Sequence, residues 1–324
     1  MKAVVTTGSA LRPELTVRDV AEPAEPGPDD VVVQVHAASV NPKDWKLNYN
    51  IARMVTPLLA HRLAPLFGDD LAGTIVAKGS NVTDFAIGDA VYGMDMRLRT
   101  ASLAERALIN QKRIARKPET LAYRQAASMP LAAQTALQAF RRGRAGEGSR
   151  VLIIGASGGV GTFAVQIAKA QGMHVTGVCS GRNADFVREL GADEVIDYTA
   201  GDYRKTAGLF DLVFDVASRE TPRSCAAMMA PGAWFISTGG DARSMLGTPV
   251  YRALGTNAAS IMVESYREDL ETLTALIGNG RLKPIIDSEF DLAESQQAYD
   301  RSRTGRCRGK VVIGVVPEQV TPED

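Results

Sequence analysis

The stretch VLIIGASGGVGTFAVQIAKAQGMHVTGVCSGRN, residues 151–183, places Gly155, Gly158, Gly159 and Gly161 within seven positions between two apolar runs. Residues 151–154 read as a buried strand, since a short apolar run bounded by glycine suits a strand covered on both faces. Behind the glycines, Val160, Phe163, Ala164, Ile167 and Ala168 fall on one face of a helix. A glycine-rich turn between such a strand and helix lets the backbone approach a pyrophosphate, with the helix amides directed at its charge. By itself the pattern also fits a tight turn with no ligand, but the strand and helix around it make nucleotide binding the expectation.

The end of the second strand bears on which nucleotide. NAD-selective folds usually carry Asp or Glu there, about 20 residues past the glycines, to bond the ribose hydroxyls. This strand ends in VCSGRN, with no acid at its tip; Asp185 comes later, in the next helix. Ser180 and Arg182 are suited instead to a 2′-phosphate, Arg182 through paired charge-assisted bonds. NADPH is therefore the expected cofactor, against the alternative that Arg182 is a solvated surface charge.

Upstream, DVVVQVHAASV (30–40), LAGTIVAKGSNV (71–82) and IGDAVYGM (87–94) are β-branched runs separated by Gly, Asn and Asp, which predicts a barrel-like β domain. From about Pro118 the periodicity turns helical, through AYRQAASMPLAAQTALQAF. Past the glycines strand and helix patterns alternate, which implies a parallel sheet with helices on both faces. Near Tyr266 the rhythm changes again, to a helix, a strand in KPIIDSEFDL, a second helix and a last strand in GKVVIGVV. The expected division is a first β-rich part at 1–120, a nucleotide-binding domain at 121–265, and the rest of the first domain at 266–324.

Lys plus Arg and Asp plus Glu both number 37, so no net charge draws the chain toward nucleic acid or an anionic membrane. Small molecules are the expected partners. Cys179, Cys225 and Cys307 are too scattered for a disulfide framework, which suits a reducing compartment. The opening MKAVVTTGSA has too short an apolar run for a signal peptide, and no segment has the length of a membrane-spanning helix. A cytoplasmic protein is expected.

Short-chain dehydrogenases also carry a GASGGVG-like turn, but near the N-terminus and with a Tyr-xxx-Lys pair; none of the eight tyrosines here has Lys four residues on. The ordered blocks SVNPKDWK, GDDLAGTIVAKGSNVTDFAIGDAVYGM, AASMPLAAQTALQAF, VLIIGASGGVG, ELGADEVIDY and GRCRGKVVI cover nearly the whole chain. Together they resemble the medium-chain dehydrogenase/reductase superfamily, most closely its zinc-independent NADPH:quinone oxidoreductase and enone reductase branch. The resemblance implies an α/β protein: a Rossmann doubly wound parallel sheet plus a split β-rich GroES-like catalytic domain. It also implies a homodimer joined through the nucleotide domain.

The zinc-bearing members of that superfamily would place their first Cys ligand near Asn41 and a GHE block at Gly68, Asp69 and Asp70. Neither position offers a soft ligand, and the chain has only His36, His61 and His174. No tetrahedral zinc site is expected. The implied chemistry is hydride transfer to an already polarised acceptor, a quinone or the C=C bond of an α,β-unsaturated carbonyl. Reduction of enoyl thioesters and a non-catalytic NADPH-sensing role are the alternatives.

By resemblance, Asn41 and Thr135 lie near the nicotinamide, Tyr198 near the adenosine, and Lys310 near the cofactor phosphates or the domain cleft. The same resemblance adds Gly155, Ser157, Gly158, Gly159, Val160 and Thr238 to the cofactor contacts, beside Ser180 and Arg182. Asn41 and Tyr49 are the candidate catalytic residues, Tyr49 as proton donor or pocket wall. Local structure offers a plainer role for SVNPKDWK, with Asn41 as N-cap, Pro42 at the first helical position and Asp44 at the positive helix end. The apolar stretch 50–68 is expected to cover the acceptor site. His61 within it is expected to be a half-buried polar residue, and Cys179 a buried small one.

Overall fold

The computed structural model describes residues 1–9, 12–42, 68–96, 102–205, 208–238, 251–253 and 255–317. Tyr49, Asp44, His61 and all but the last residue of the stretch expected to cover the acceptor, 50–68, lie outside them. The chain divides into two compact units, one of Met1–Leu131, Glu264–Thr274 and Ile286–Asp324, the other of Ala132–Val263 and Ala275–Ile285.

In the first unit, β1 (Lys2–Ser9) and β2 (Arg12–Asp19) form an antiparallel hairpin. The central strand is β3 (Asp30–Val40), with Val31, Val33 and Val35 buried while Gln34 and His36 keep partial exposure. Its β-branched run, bounded by turn residues, made it legible in sequence. One edge of β3 takes β4 (Asp70–Lys78), followed by β5 (Ala90–Met94) and β7 (Ile114–Arg116). Along β3, Asp30–Gln34 also pair with β6 (Arg106–Asn110), and Ala37–Val40 with β15 (Lys310–Gly314), beyond which lies β14 (Ile286–Asp291). The result is one path, β14-β15-β3-β4-β5-β7, with β6 as a branch; among the described residues no pairing joins its ends into a barrel. Val31, Val33, Leu71, Ile75, Val91 and Ile114 make its core.

The helical run after residue 118 is two helices, α1 (Tyr123–Ala127) and α2 (Pro130–Arg142). Pro130 divides them, since proline cannot continue a helix but suits its first position.

The second unit holds β8 (Arg150–Ile154), β9 (His174–Cys179), β10 (Glu194–Asp197), β11 (Phe210–Asp215), β12 (Met229–Ser237) and β13 (Ala258–Ser260). All pair in parallel, in the order β10-β9-β8-β11-β12-β13. Renumbered from β8 this is 3-2-1-4-5-6, the order of the Rossmann dinucleotide fold, which places a ligand at the carboxyl ends of the strands where the order reverses. That reversal falls between β8 and β11. The helix α3 (Gly159–Ala170) covers the sheet with Phe163, Ala164, Ile167 and Ala168, all fully buried. Its buried Gln166 donates to the Lys283 carbonyl at 3.1 Å and accepts from the Lys283 amide at 3.0 Å, tying the segment 275–285 into this unit.

Candidate functional site

The glycine turn of the second unit follows from close backbone contact. Gly155 has φ +90°, a conformation that favours glycine. A Cβ on Gly161 would stand 2.1 Å from the Gly155 carbonyl oxygen, so only glycine lets α3 start this close to β8. Gly158 is different: its nearest neighbour would be 3.5 Å from an added Cβ. Its bareness therefore leaves room on the outer side of the turn, where a phosphate would approach. Ser157, Gly158, Gly159 and Val160 are all half-buried there.

At the tip of β9, Asn183 donates through Nδ2 to Ser157 Oγ at 3.0 Å, joining the glycine turn to the second-strand turn. Ser180 is half-buried and Arg182 exposed. Tyr198 is held by its amide on the Cys179 carbonyl at 3.1 Å, with the residue 55% exposed. Cys179 is buried, and burial first, then the Asp197 charge, pushes its thiol up to about 11. It is therefore a neutral thiol at physiological pH.

Two acids here were not singled out from sequence. Asp197 ends β10 beside Cys179 of β9, and a Cβ on Gly181 would meet its Oδ2 at 2.3 Å. Asp215 ends β11 at the crossover and is fully buried. Its Oδ2 accepts from the amides of Arg219 at 2.8 Å and Glu220 at 2.7 Å, whereas its Oδ1 has no hydrogen-bond partner among the described residues. Burial pushes the Asp215 carboxyl up to about 6 despite those amides. The turn it holds borders the glycines, since an added Gly155 Cβ would lie 3.3 Å from Ala217 Cβ. Thr238 closes the same edge, its hydroxyl 2.8 Å from Ser218 Oγ.

In the first unit Asn41 and Lys310 come together on a third residue, Asp70. Asp70 is fully buried, Asn41 is 1% and Lys310 4% exposed. Asp70 Oδ2 accepts from Ser39 Oγ at 2.5 Å, Asn41 Nδ2 at 2.9 Å and Lys310 Nζ at 3.2 Å, and its Oδ1 from the Leu131 amide at 2.7 Å. Lys310 Nζ also donates to Asn41 Oδ1 at 2.5 Å. The carboxylate and the ammonium thus fix which end of the Asn41 amide is oxygen, an orientation that otherwise has to be assigned by its hydrogen bonds. Thr135 is buried on α2 in the second unit.

A dinucleotide fits the glycine turn; a zinc ion does not fit the other cluster. Asn41 and Asp70 offer hard donors already engaged by an internal ammonium, and zinc favours sulfur and imidazole. Among the described residues no three His, Cys, Asp or Glu side chains converge into a metal site. A surface cavity of about 460 Å³ opens in the first unit between Asp84, Phe85, Arg116 and Arg267. Its guanidiniums are paired with Asp84 at 2.6 Å and Asp89 at 2.7 Å, and it contains none of the residues singled out from sequence.

Residues 27–119 match the alcohol dehydrogenase GroES-like domain family, and residues 190–313 match a family described as zinc-binding dehydrogenase. The chain is 33% identical to the mouse mitochondrial NAD(P)H oxidoreductase RTN4IP1, over 89% of this chain and 82% of that protein. The chain belongs to the medium-chain dehydrogenase/reductase superfamily. It is 30% identical to a chloroplast envelope quinone oxidoreductase homolog of Arabidopsis thaliana, over 89% of this chain and 90% of that one. The solved quinone oxidoreductase of Coxiella burnetii superposes with a TM-score of 0.85 at 30% identity, covering 98% of this chain and 99% of that one. With the parallel order of the second unit, this makes the chain an NAD(P)H-dependent oxidoreductase built from a Rossmann-like domain and a GroES-like domain.

Proposed function

We propose that the protein is a zinc-independent reductase that moves hydride from NADPH to a quinone or to the C=C bond of an α,β-unsaturated carbonyl. The observation that carries this reading is the Lys310, Asp70 and Asn41 cluster: where zinc-bearing relatives would place ligands, this chain holds its own ammonium ion. Without a Lewis acid, alcohol oxidation loses its usual means of polarising oxygen. A conjugated acceptor needs less help, because the incoming charge is delocalised onto oxygen. The relatives described as quinone oxidoreductases support that acceptor class.

A nicotinamide dinucleotide, when bound, would supply the hydride. The glycine turn and the first amides of α3 would receive its pyrophosphate. Ser180 and Arg182 would take the 2′-phosphate, and Tyr198 would offer its exposed ring to the adenine. Asn41, with its amide locked by Asp70 and Lys310, and Thr135 are the residues that the family resemblance would bring to the nicotinamide. Such preorganised polar groups cost little reorganisation during the reaction.

The test is NADPH consumption without oxygen across quinones, alkenals, cyclic enones and enoyl thioesters, with products identified. Turnover of quinones or enones is expected. Turnover of enoyl thioesters alone would reassign the acceptor, and tight NADPH binding with no turnover of any would replace the reductase reading with a sensing one.

A further inference from the structure

We infer that Asp197 is a specificity-determining residue, whose carboxylate opposes the 2′-phosphate at the adenosine end and so restrains the preference for NADPH over NADH. The inference deepens the reading of this site as one for NAD(P)H. It rests on placement. The tip of β9 carries no acid of its own, yet parallel pairing with β10 sets Asp197 beside Cys179, the last residue of β9. From there Oδ2 reaches the following turn, so close to Gly181 that a Cβ at that position would be 2.3 Å away. Gly181 stands between Ser180 and Arg182, the two residues suited to a 2′-phosphate.

The carboxylate is anchored rather than free to swing away. Thr199 donates to Oδ1 through its hydroxyl at 2.6 Å and its amide at 2.8 Å. Those bonds, with the Gly181 amide, hold the carboxyl below the usual carboxylate range, so it is charged at neutral pH. A neighbouring strand therefore supplies the negative charge that NAD-selective folds place on the second strand. A ribose 2′-hydroxyl can donate to such a group, whereas a 2′-phosphate is repelled by it and attracted by Arg182. Cofactor choice is the balance of these two charges.

Asp197→Asn removes the charge and keeps an oxygen to accept the Thr199 bonds. The ratio of kcat/KM with NADPH to that with NADH, measured with one acceptor at low salt, is expected to rise about three- to tenfold, and the rise to shrink at about 0.5 M salt. Calorimetry with 2′,5′-ADP and 5′-AMP should show the same shift in relative affinity. If Asp197→Asn folds poorly by thermal unfolding, Asp197→Ser removes the charge while leaving a short acceptor, and the same shift is expected of it. A ratio unmoved within about twofold, or equal losses with both cofactors, would overturn the inference and leave Asp197 a clasp for the Gly181 turn. Wild-type protein that binds neither dinucleotide would overturn the hydride-transfer reading itself; binding with an unmoved ratio would overturn only the role of Asp197.

Discussion

Asp215 shows how one buried oxygen sets a pH dependence. Its carboxyl titrates near 6 in the folded protein because burial disfavours the charge, against 3.8 as the ordinary value. Between those values the folded state binds the proton more tightly than the unfolded one, so stability falls as pH rises through about 4 to 6 and stays lower above. The difference corresponds to about 3 kcal/mol. Asp215→Asn is therefore expected to gain in melting temperature relative to wild type as pH is raised from 5 to 8; a difference that does not change with pH would refute this. Asp70 and Lys310 make a second case. Removing either charge leaves the other buried and uncompensated, at a cost of about 3–5 kcal/mol. Asp70→Asn and Lys310→Met should each show that loss in denaturant unfolding, and the double variant should lose clearly less than their sum. Arg182→Ala should raise the KM for NADPH far more than that for NADH, and equal effects would remove Arg182 from the 2′-phosphate site.

At the scale of elements, the strand-turn-helix unit β8-α3 separates two duties of glycine. Gly161→Ala drives a methyl into the Gly155 carbonyl, which requires α3 to shift from β8. A loss of about 1–3 kcal/mol in stability is expected, together with weaker cofactor binding. Gly158→Ala meets only the Gly155 oxygen, at 3.5 Å, and its backbone, φ −82° and ψ 179°, is open to any residue. Its stability should stay within about 0.5 kcal/mol of wild type while NADPH affinity falls at least about tenfold, because the methyl occupies the ligand's side of the turn. Parallel thermal melts and fluorescence titrations read both quantities; equal destabilisation in the two variants would contradict the division. At this scale the sequence was highly legible. The run 30–40 matches β3 end to end, and Phe163, Ala164, Ile167 and Ala168 are buried on α3 as expected, although Val160 is only half-buried and the helix is buried all round from Gly161 to Ala168 rather than on one face. It was less legible where a helical pattern crossed Pro130, since hydrophobic periodicity does not record a break of two residues.

Across the whole molecule, the chain carries two units of different construction, an antiparallel-rich sheet and a wholly parallel one. Neither offers a cluster of metal-ligating side chains among the described residues. Turnover with NADPH is accordingly expected to be unchanged after treatment with 1,10-phenanthroline or EDTA, and inhibition reversed by added zinc would defeat the zinc-free reading. The sequence by itself determined the two kinds of sheet, the glycine turn and the dehydrogenase family, because β-branched runs, alternating strand and helix patterns, glycine spacing and ordered blocks are local signals that survive without knowledge of contacts. Only the tertiary structure decided which charges meet. Asp70 and Lys310 lie 240 residues apart, yet share a hydrogen bond. Asp197 reaches Gly181 across a strand pairing, and Asp215 is made an unusually weak acid by burial at the crossover. Strand register and burial set those distances and dielectric surroundings, and neither is written in the spacing of residues along the chain.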